Sequence, residues 1–230
     1  MSDASGGPGS PDVAETALAE AVVSSRAERR QQGAADTRAS ILAAARERLL
    51  AVGYANLSTR AVAEAAEVPL SQIHYHFGSK QGLVLALFEY LNAQLLDRQD
   101  ALFRDPTLKL SQQWDRACDY LDEDIASGYV RVLQELIAAS WVDKAIAKTV
   151  TAGLMGWGDL LIELARKAER QLGSLGPFNA EEIGSLIACA FMGAESLYLL
   201  GIEKRGIPLR AALRRFGDLI RRLEAHPVRA

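Results

Sequence analysis

Between Leu57 and Lys80 the chain reads LSTRAVAEAAEVPLSQIHYHFGSK, and the second half of this run crowds Ser71, Gln72, His74, Tyr75 and His76 around Ile73 and Phe77. Two histidines two apart invite a metal reading, but on a helix such residues point to different faces, and no third ligand stands nearby. Ile73 and Phe77, four apart, share a face that suits a small core, which leaves Leu70, Ser71, Gln72, His74, Tyr75 and His76 as the outward set. Gln72 offers the donor and acceptor that an adenine edge accepts, Ser71 pairs with several base edges, and Leu70 suits a thymine methyl. Each such contact discriminates by about 1–3 kcal/mol.

Those side chains need short helices to aim them. Apolar Ile41, Leu42, Ala45 and Leu49 recur at helical spacing after Asp36 or Thr37, either of which can cap a first helix that Gly53 ends near Val52. Ser58 or Thr59 caps a second helix through Ala66, with Val62, Ala65 and Ala66 inward, and Val68-Pro69 punctuates before a third, Leu70 to Phe77. Three short helices in under fifty residues match a helix-turn-helix, in which one helix braces on the DNA backbone and the next enters a major groove roughly 12 Å wide. Ser79 then caps a long fourth helix to about Arg104, carrying Leu83, Val84, Leu87, Leu91 and Leu95, and Asp105-Pro106 breaks it.

Thr37-Arg38, Ile41, the Ala43 to Ala45 run, Gly53, Thr59, Val62-Ala63, Ala65-Ala66, Val68, Tyr75-His76-Phe77 and Lys80 stand at the spacing of one family, and over this stretch the chain resembles the tetracycline-repressor (TetR) family. That family usually has glycine where this chain has Glu67, a serine-like cap at Pro69 and an aromatic at His74. The resemblance implies that Thr59, Arg60, Tyr75, His76 and Lys80 meet phosphates. Helix N-termini and the charges of Arg60 and Lys80 suit that chemistry. The expected DNA-binding set is therefore Thr59, Arg60, Leu70, Ser71, Gln72, His74, Tyr75, His76 and Lys80.

The rest of the chain predicts helices near 108–127, 129–140, 143–173, 179–201 and 208–225, with Asn179 and Glu182 spaced as a capping box and no strand pattern. The fold class is all-α. An N-terminal three-helix helix-turn-helix DNA-binding domain is followed by a helical ligand-binding and dimerisation domain: a flexible arm over 1–33, the DNA-binding domain over 34–83 and the effector-binding and dimerisation domain over 84–230. Within the arm, Ala14 to Val23 has helix-forming composition, and Arg26, Arg29 and Arg30 suit either solvent or a DNA backbone. The resemblance implies an apolar pocket in the body, for which the candidates are Phe88, Leu91, Trp114, Cys118, Trp141, Met155 and Trp157. Small residues Ala190, Gly193 and Ala194 beside Leu197, with Leu213, Phe216 and Ile220 opposite, suit a homodimer surface, and the stripe of the final helix equally suits burial within one chain. A twofold dimer sets two recognition helices about 34–36 Å apart, matching a near-palindromic operator.

Composition bounds the rest. In 230 residues, 49% apolar, the formal net charge is -3, so any attraction to double-stranded DNA is local rather than global. Cys118 and Cys189 stand far apart without metal or disulfide spacing, which reads as buried thiols in a reducing cytoplasm. No apolar run reaches the roughly 18–20 residues of a membrane span, and Met1 to Pro11 lacks the pattern of a signal peptide. Neither a phosphate loop nor a nucleophile elbow nor a metal signature occurs, so no cofactor, metal or enzyme activity is expected. The expected function is a cytoplasmic repressor that binds operator DNA as a dimer and is released by a small apolar effector. The alternatives are an effector-independent dimeric regulator or activator and, more remotely, a helical enzyme or carrier using Cys118.

Overall fold

The structure, a computed structural model, describes residues 12–174 and 176–226, with side chains from residue 29 onward. Its helices are α1 (Asp12–Asn56), α2 (Thr59–Ala65), α3 (Leu70–Phe77), α4 (Lys80–Arg104), α5 (Leu110–Ser127), α6 (Tyr129–Ser140), α7 (Lys144–Leu172), α8 (Ala180–Leu199) and α9 (Leu209–Ala225). No strand occurs among the described residues, and the architecture is all-α.

The reading head is built on complementary stripes. Ile41, Leu42, Ala45 and Leu49 of α1 meet Val62 and Ala63 of α2, Ile73 of α3 and Leu83, Val84 and Leu87 of α4, all buried in one core. Burial of each large aliphatic side chain stabilises by roughly 1.5–3 kcal/mol, enough to hold two helices as short as α2 and α3. On α2 it is Ala63 that is buried beside Val62, whereas Ala65, expected inward, is exposed and Ala66 half-buried.

α1 differs from expectation at its start. It begins at Asp12, so residues 12–33 are helical where a flexible arm is expected; residues 1–11 of that arm lie outside the described residues. The segment is rich in Ala, Glu and Arg, strong helix formers, and a single Gly33 costs only about 1 kcal/mol against alanine. Asp36 and Thr37 are consequently mid-helix residues rather than caps: Gln32 donates to Asp36 Oδ1 at 2.9 Å, and Thr37 Oγ1 donates to the Gly33 carbonyl at 2.8 Å. At Gly53, φ 74° and ψ 167° interrupt the helix close to the expected stop, and one further turn follows.

α4 joins head and body. Ser79 caps it by accepting from Gly82 N at 3.1 Å, and a Cβ at Gly82 would lie 2.1 Å from the Phe77 carbonyl, so only glycine allows this close passage of α4 beneath α3. In the body, α7 lies between α8 and the α4–α6 face. α9 is strapped along α5 by Arg210 to Asp122 (3.0 Å), Arg214 to Asp119 and Asp122 (both 2.8 Å) and Arg221 to Asp115 (2.6 Å). Exposed pairs of this kind contribute about 0–1 kcal/mol each, so they set the register of α9 more than its stability. The Asn179–Glu182 capping box forms as expected, with bonds of 2.8 and 2.9 Å.

Candidate functional site

α3 presents a polar face. Ile73 is fully buried and Phe77 half-buried against the head core, while Ser71, His74 and Tyr75 are exposed, Tyr75 at 77%. Leu70 and Gln72 are half-buried at the edge of that face, and beside it, on α2, Arg60 is exposed and Thr59 half-buried. α3 enters from a turn that places Glu67 at φ 54°, the one non-glycine with positive φ among the described residues. That is the left-handed conformation for which glycine is best suited.

Two of the expected contact residues are partly committed inside the protein. The Lys80 ammonium donates to the Ala55 carbonyl at 3.0 Å and lies 4.9 Å from the centre of the Tyr54 ring, which satisfies the last turn of α1. Two of its three N–H groups remain for other partners. His76 is half-buried, its Nε2 lies out of water without a partner among the described residues, and its ring meets Tyr75 edge-on at 4.9 Å. It thus props Tyr75 rather than facing outward, which corrects its expected exposure. His74 is outward, with Nδ1 3.1 Å from the Gly78 carbonyl. No group of three potential metal ligands occurs among the described residues.

The body encloses a cavity of about 30 Å³, room for about two waters. Its walls are Asn92, Leu95, Gln99 and Phe103 of α4, Trp114, Leu121 and Asp124 of α5, Tyr129 and Leu133 of α6, Gly153, Leu154, Trp157 and Leu161 of α7, and Phe191, Met192 and Glu195 of α8. Of the expected pocket residues, Trp114 and Trp157 line it. Phe88, Leu91 and Cys118 are buried behind the wall, Phe88 stacking on Tyr129 at 6.4 Å. Trp141 and Met155 do not belong to it, being 81% and 60% exposed. Trp141 sits in the turn after α6, and Met155 lies two residues from the wall residues Gly153 and Trp157, a spacing that turns it to the opposite face of α7.

The polar residues of the cavity escaped the sequence reading, although their phase marks them. Asn92 and Gln99 continue the stripe of Phe88, Leu95 and Phe103, Asp124 that of Trp114, Ala117 and Leu121, and Glu195 that of Phe191. A polar residue on the core-facing phase of an apolar helix was the available signal. Tyr129 donates to Asn92 Oδ1 at 3.0 Å and Trp157 Nε1 to Gln99 Oε1 at 2.9 Å. Asp124 is held by the Arg98 guanidinium, which rests on the Tyr120 ring at 4.5 Å. Burial nevertheless pushes Asp124 up to about 6, against the pull of Arg98. Burial pushes Glu195 further, up to about 8, with the neighbouring Asp124 adding to the rise and Gln134 opposing it. Its Oε2 has no partner among the described residues. Cys118, up to about 12 through burial, keeps its proton at neutral pH and makes a poor nucleophile.

A second surface is apolar and open. Leu186, Cys189, Ala190, Gly193 and Leu197 of α8 and Phe216 of α9 are exposed along one groove, and a Cβ at Gly193 would meet nothing within 4 Å. Among the expected dimer residues Ala194 is buried, and Leu213 and Ile220 are half-buried against α5 and α7. By length and composition α8 is apolar enough to cross a membrane, although Glu181, Glu182 and Glu195 interrupt its apolar run. Ile183, Leu186, Ile187, Phe191, Met192, Leu197 and Leu199 carry most of that apolar character, and little of the helix is buried.

Residues 41–87 match the model of a family described as bacterial regulatory proteins, tetR family. No curated protein matches the chain. Solved structures share the fold over most of its length. Regulatory protein TetR from Rhodobacter sphaeroides is 19% identical, with 82% of this chain and 97% of that one covered at a TM-score of 0.64. FadR from Bacillus subtilis, solved with stearoyl-CoA, is 14% identical, with coverage of 79% and 96% and a TM-score of 0.66. A protein of Saccharomonospora viridis described as a transcriptional regulator, solved with choline, is 23% identical, with coverage of 79% and 95% and a TM-score of 0.66.

Proposed function

Taking as premise that the chain belongs to the TetR family of bacterial transcription regulators, we propose that it is a cytoplasmic repressor. It binds a near-palindromic operator as a homodimer and is released when a small molecule occupies the body. The division is a DNA-binding domain over 34–83 and an effector-binding and dimerisation domain over 84–230, with α4 crossing the boundary. The observation that carries the reading is the outward face of α3, where Ser71, Gln72, His74 and Tyr75 surround a helix pinned by Ile73. Arg60 and the free N–H groups of Lys80 meet phosphates and set register, and the α3 face reads bases. The bare apolar groove of α8 and α9 is covered by the same groove of a second copy, as a twofold interface requires.

Release needs a route from cavity to head, and hydrogen bonds and packing between α1, α4 and α6 supply one. Tyr129, in the cavity wall, begins α6 one residue after the Gly128 corner; beside it Arg46 of α1 donates to the Ser127 carbonyl at 2.8 Å, and further along α6 the Glu135 carboxylate accepts from Tyr54 N. α4 adds a second connection, from Asn92 and Leu95 in the wall to Leu83 and Val84 in the head core. A ligand that shifts Tyr129 or α4 therefore biases the orientation of the head, provided it prefers the non-binding arrangement. The choline and stearoyl-CoA held by two structural neighbours support a ligand-accepting body.

The test is fluorescence anisotropy of the full chain on DNA from upstream of its own gene, against scrambled DNA, over a salt series. Specific affinity at least about a thousandfold above non-specific is expected, with dimers in sedimentation velocity. Equal affinity for both DNAs sinks the reading. An effector-independent regulator is the second reading, favoured by the small size of the cavity; operator affinity that no bound compound changes selects it.

A further inference from the structure

The cavity is not simply apolar. One end is aromatic: Trp114 and Trp157 both meet the Phe191 ring edge-on, at 5.6 and 6.3 Å, and Tyr129 closes the side. The other end carries Glu195, whose Oε2 is buried and without a partner among the described residues. The charges around it do not cancel. From α5 comes Asp124, already matched to Arg98 of α4; from α6 come only the Tyr129 hydroxyl and Gln134; the part of α7 in the wall carries no charged side chain; and the lining contains no lysine, arginine or histidine. One carboxyl group is therefore left without a counter-charge in a cavity whose lining is rich in aromatic side chains.

We infer that this cavity is a receptor for a small organic cation, an amine or quaternary ammonium, with Glu195 as its counter-ion and Trp114, Trp157 and Phe191 as the aromatic walls. The inference rests on the reading of the body as an effector site and names its ligand class, replacing the neutral apolar effector expected from the sequence. A cation supplies what each half of the site lacks. Aromatic faces attract positive charge through their quadrupoles, most strongly when water is excluded. A buried carboxylate is tolerated only when it is paired. A ligand carboxylate finds no counter-charge, since the lining carries no lysine, arginine or histidine, and Asp124 opposes it. A neutral apolar guest leaves Glu195 as unsatisfied as before.

The empty and filled states differ in protonation. With burial holding Glu195 near 8, the empty site is mostly protonated at neutral pH. A permanent cation favours the ionised form, so its binding expels the proton and strengthens as pH rises towards and past 8. A neutral guest accepting a hydrogen bond from protonated Glu195 shows the opposite slope. Met192, unbranched and in the wall, is the side chain best able to yield as a guest larger than two waters enters.

The experiment is calorimetric titration of the full chain with tetramethylammonium and with tert-butanol, a neutral counterpart of similar size, at pH 6.5 and 9 and constant ionic strength. Tetramethylammonium should bind at least about tenfold tighter than tert-butanol and tighten about tenfold between the two pH values. Glu195→Gln should remove that preference and its pH slope while leaving tert-butanol binding within about twofold and the far-UV circular dichroism unchanged. Equal or stronger binding of tert-butanol, no binding of the cation, or cation affinity that falls with pH overturns the inference in the wild-type chain, whatever the variant does. Operator anisotropy in the same samples separates the two readings: a bound cation that leaves operator affinity unchanged supports the cation site and sinks the effector role.

Discussion

On α3, Ser71, His74 and Tyr75 stand in solvent around one fully buried residue, Ile73, whereas in the body Asn92, Gln99, Asp124 and Glu195 are withdrawn from water into a core that is otherwise apolar. The two arrangements suit different partners. A DNA surface is large, polyanionic and brings its own water, so the head keeps its polar groups hydrated and relies on a rigid scaffold to aim them. A small ligand must be distinguished within a few atoms, and buried polar groups left unpaired are the strongest discriminators because a mismatch leaves them unsatisfied. The head therefore keeps its polar groups hydrated, whereas in the body Asn92, Gln99 and Asp124 are paired within the protein and, of the four, Glu195 alone has an oxygen without a partner among the described residues.

The largest expected effect attacks what the two regions would share, the proposed dimer. Leu197→Glu places a charge on the exposed α8 face, and in a twofold interface each copy brings one. Like charges so juxtaposed cost several kcal/mol. Sedimentation velocity should show monomers, and operator affinity should fall by on the order of a hundredfold or more, since 1.4 kcal/mol corresponds to tenfold. A variant that stays dimeric and binds normally moves the interface elsewhere.

Next comes the head alone. Tyr75→Ala removes the most exposed aromatic on α3 without touching the core, and operator affinity should drop by about tenfold to a hundredfold, roughly 1–3 kcal/mol for a lost specific contact, with the thermal midpoint unchanged. Loss of affinity accompanied by melting would instead assign Tyr75 to packing with His76. Arg46→Ala sharpens the comparison by cutting a joint between the regions. It removes the bond to Ser127 while leaving α3 and the cavity intact. Operator affinity and ligand affinity measured separately should stay within about threefold. The difference in operator affinity with and without ligand should shrink, against couplings of about 1–3 kcal/mol. An unchanged coupling routes the signal through α4 instead.

How far the sequence reveals each region follows the same division. The head is local: the cap at Ser79, the stop at Gly53 and the pair Ile73 and Phe77 lie within fifty residues of one another, and periodicity reads them directly, although Ser58, at the start of α2, makes no capping bond. The body helices are legible for the same reason, down to the Asn179–Glu182 box. The cavity is not local. It is assembled from five helices, so a residue such as Glu195 betrays itself only by being polar on an apolar phase, and Trp141 and Met155 mislead because residue type was weighed without helical phase. α1 misleads differently: Asp36 and Thr37 are good caps in isolation, but helix-forming composition upstream lets the helix run through them.

The smallest expected effect concerns the joint between α2 and α3, where the head alone departs from its own local logic. Glu67 holds φ 54°, a conformation in which a side-chain Cβ crowds the following carbonyl at a cost of roughly 1–2 kcal/mol. Its backbone N–H donates to the Glu64 carbonyl at 3.2 Å and Val68 N to the Ala63 carbonyl at 3.0 Å, so the turn is fixed by backbone bonds that any residue can make, and the side chain is exposed. Glu67→Gly relieves the crowding but loosens the unfolded chain by roughly 0.5–1 kcal/mol. The net gain should be a few tenths to about 1 kcal/mol, a rise of at most several degrees in thermal midpoint, with operator affinity unchanged if Glu67 stands clear of the DNA. A rise in both stability and affinity would show that the carboxylate also repels phosphate, and a fall in stability would show that Glu67 makes a contact in solution that outweighs its strain.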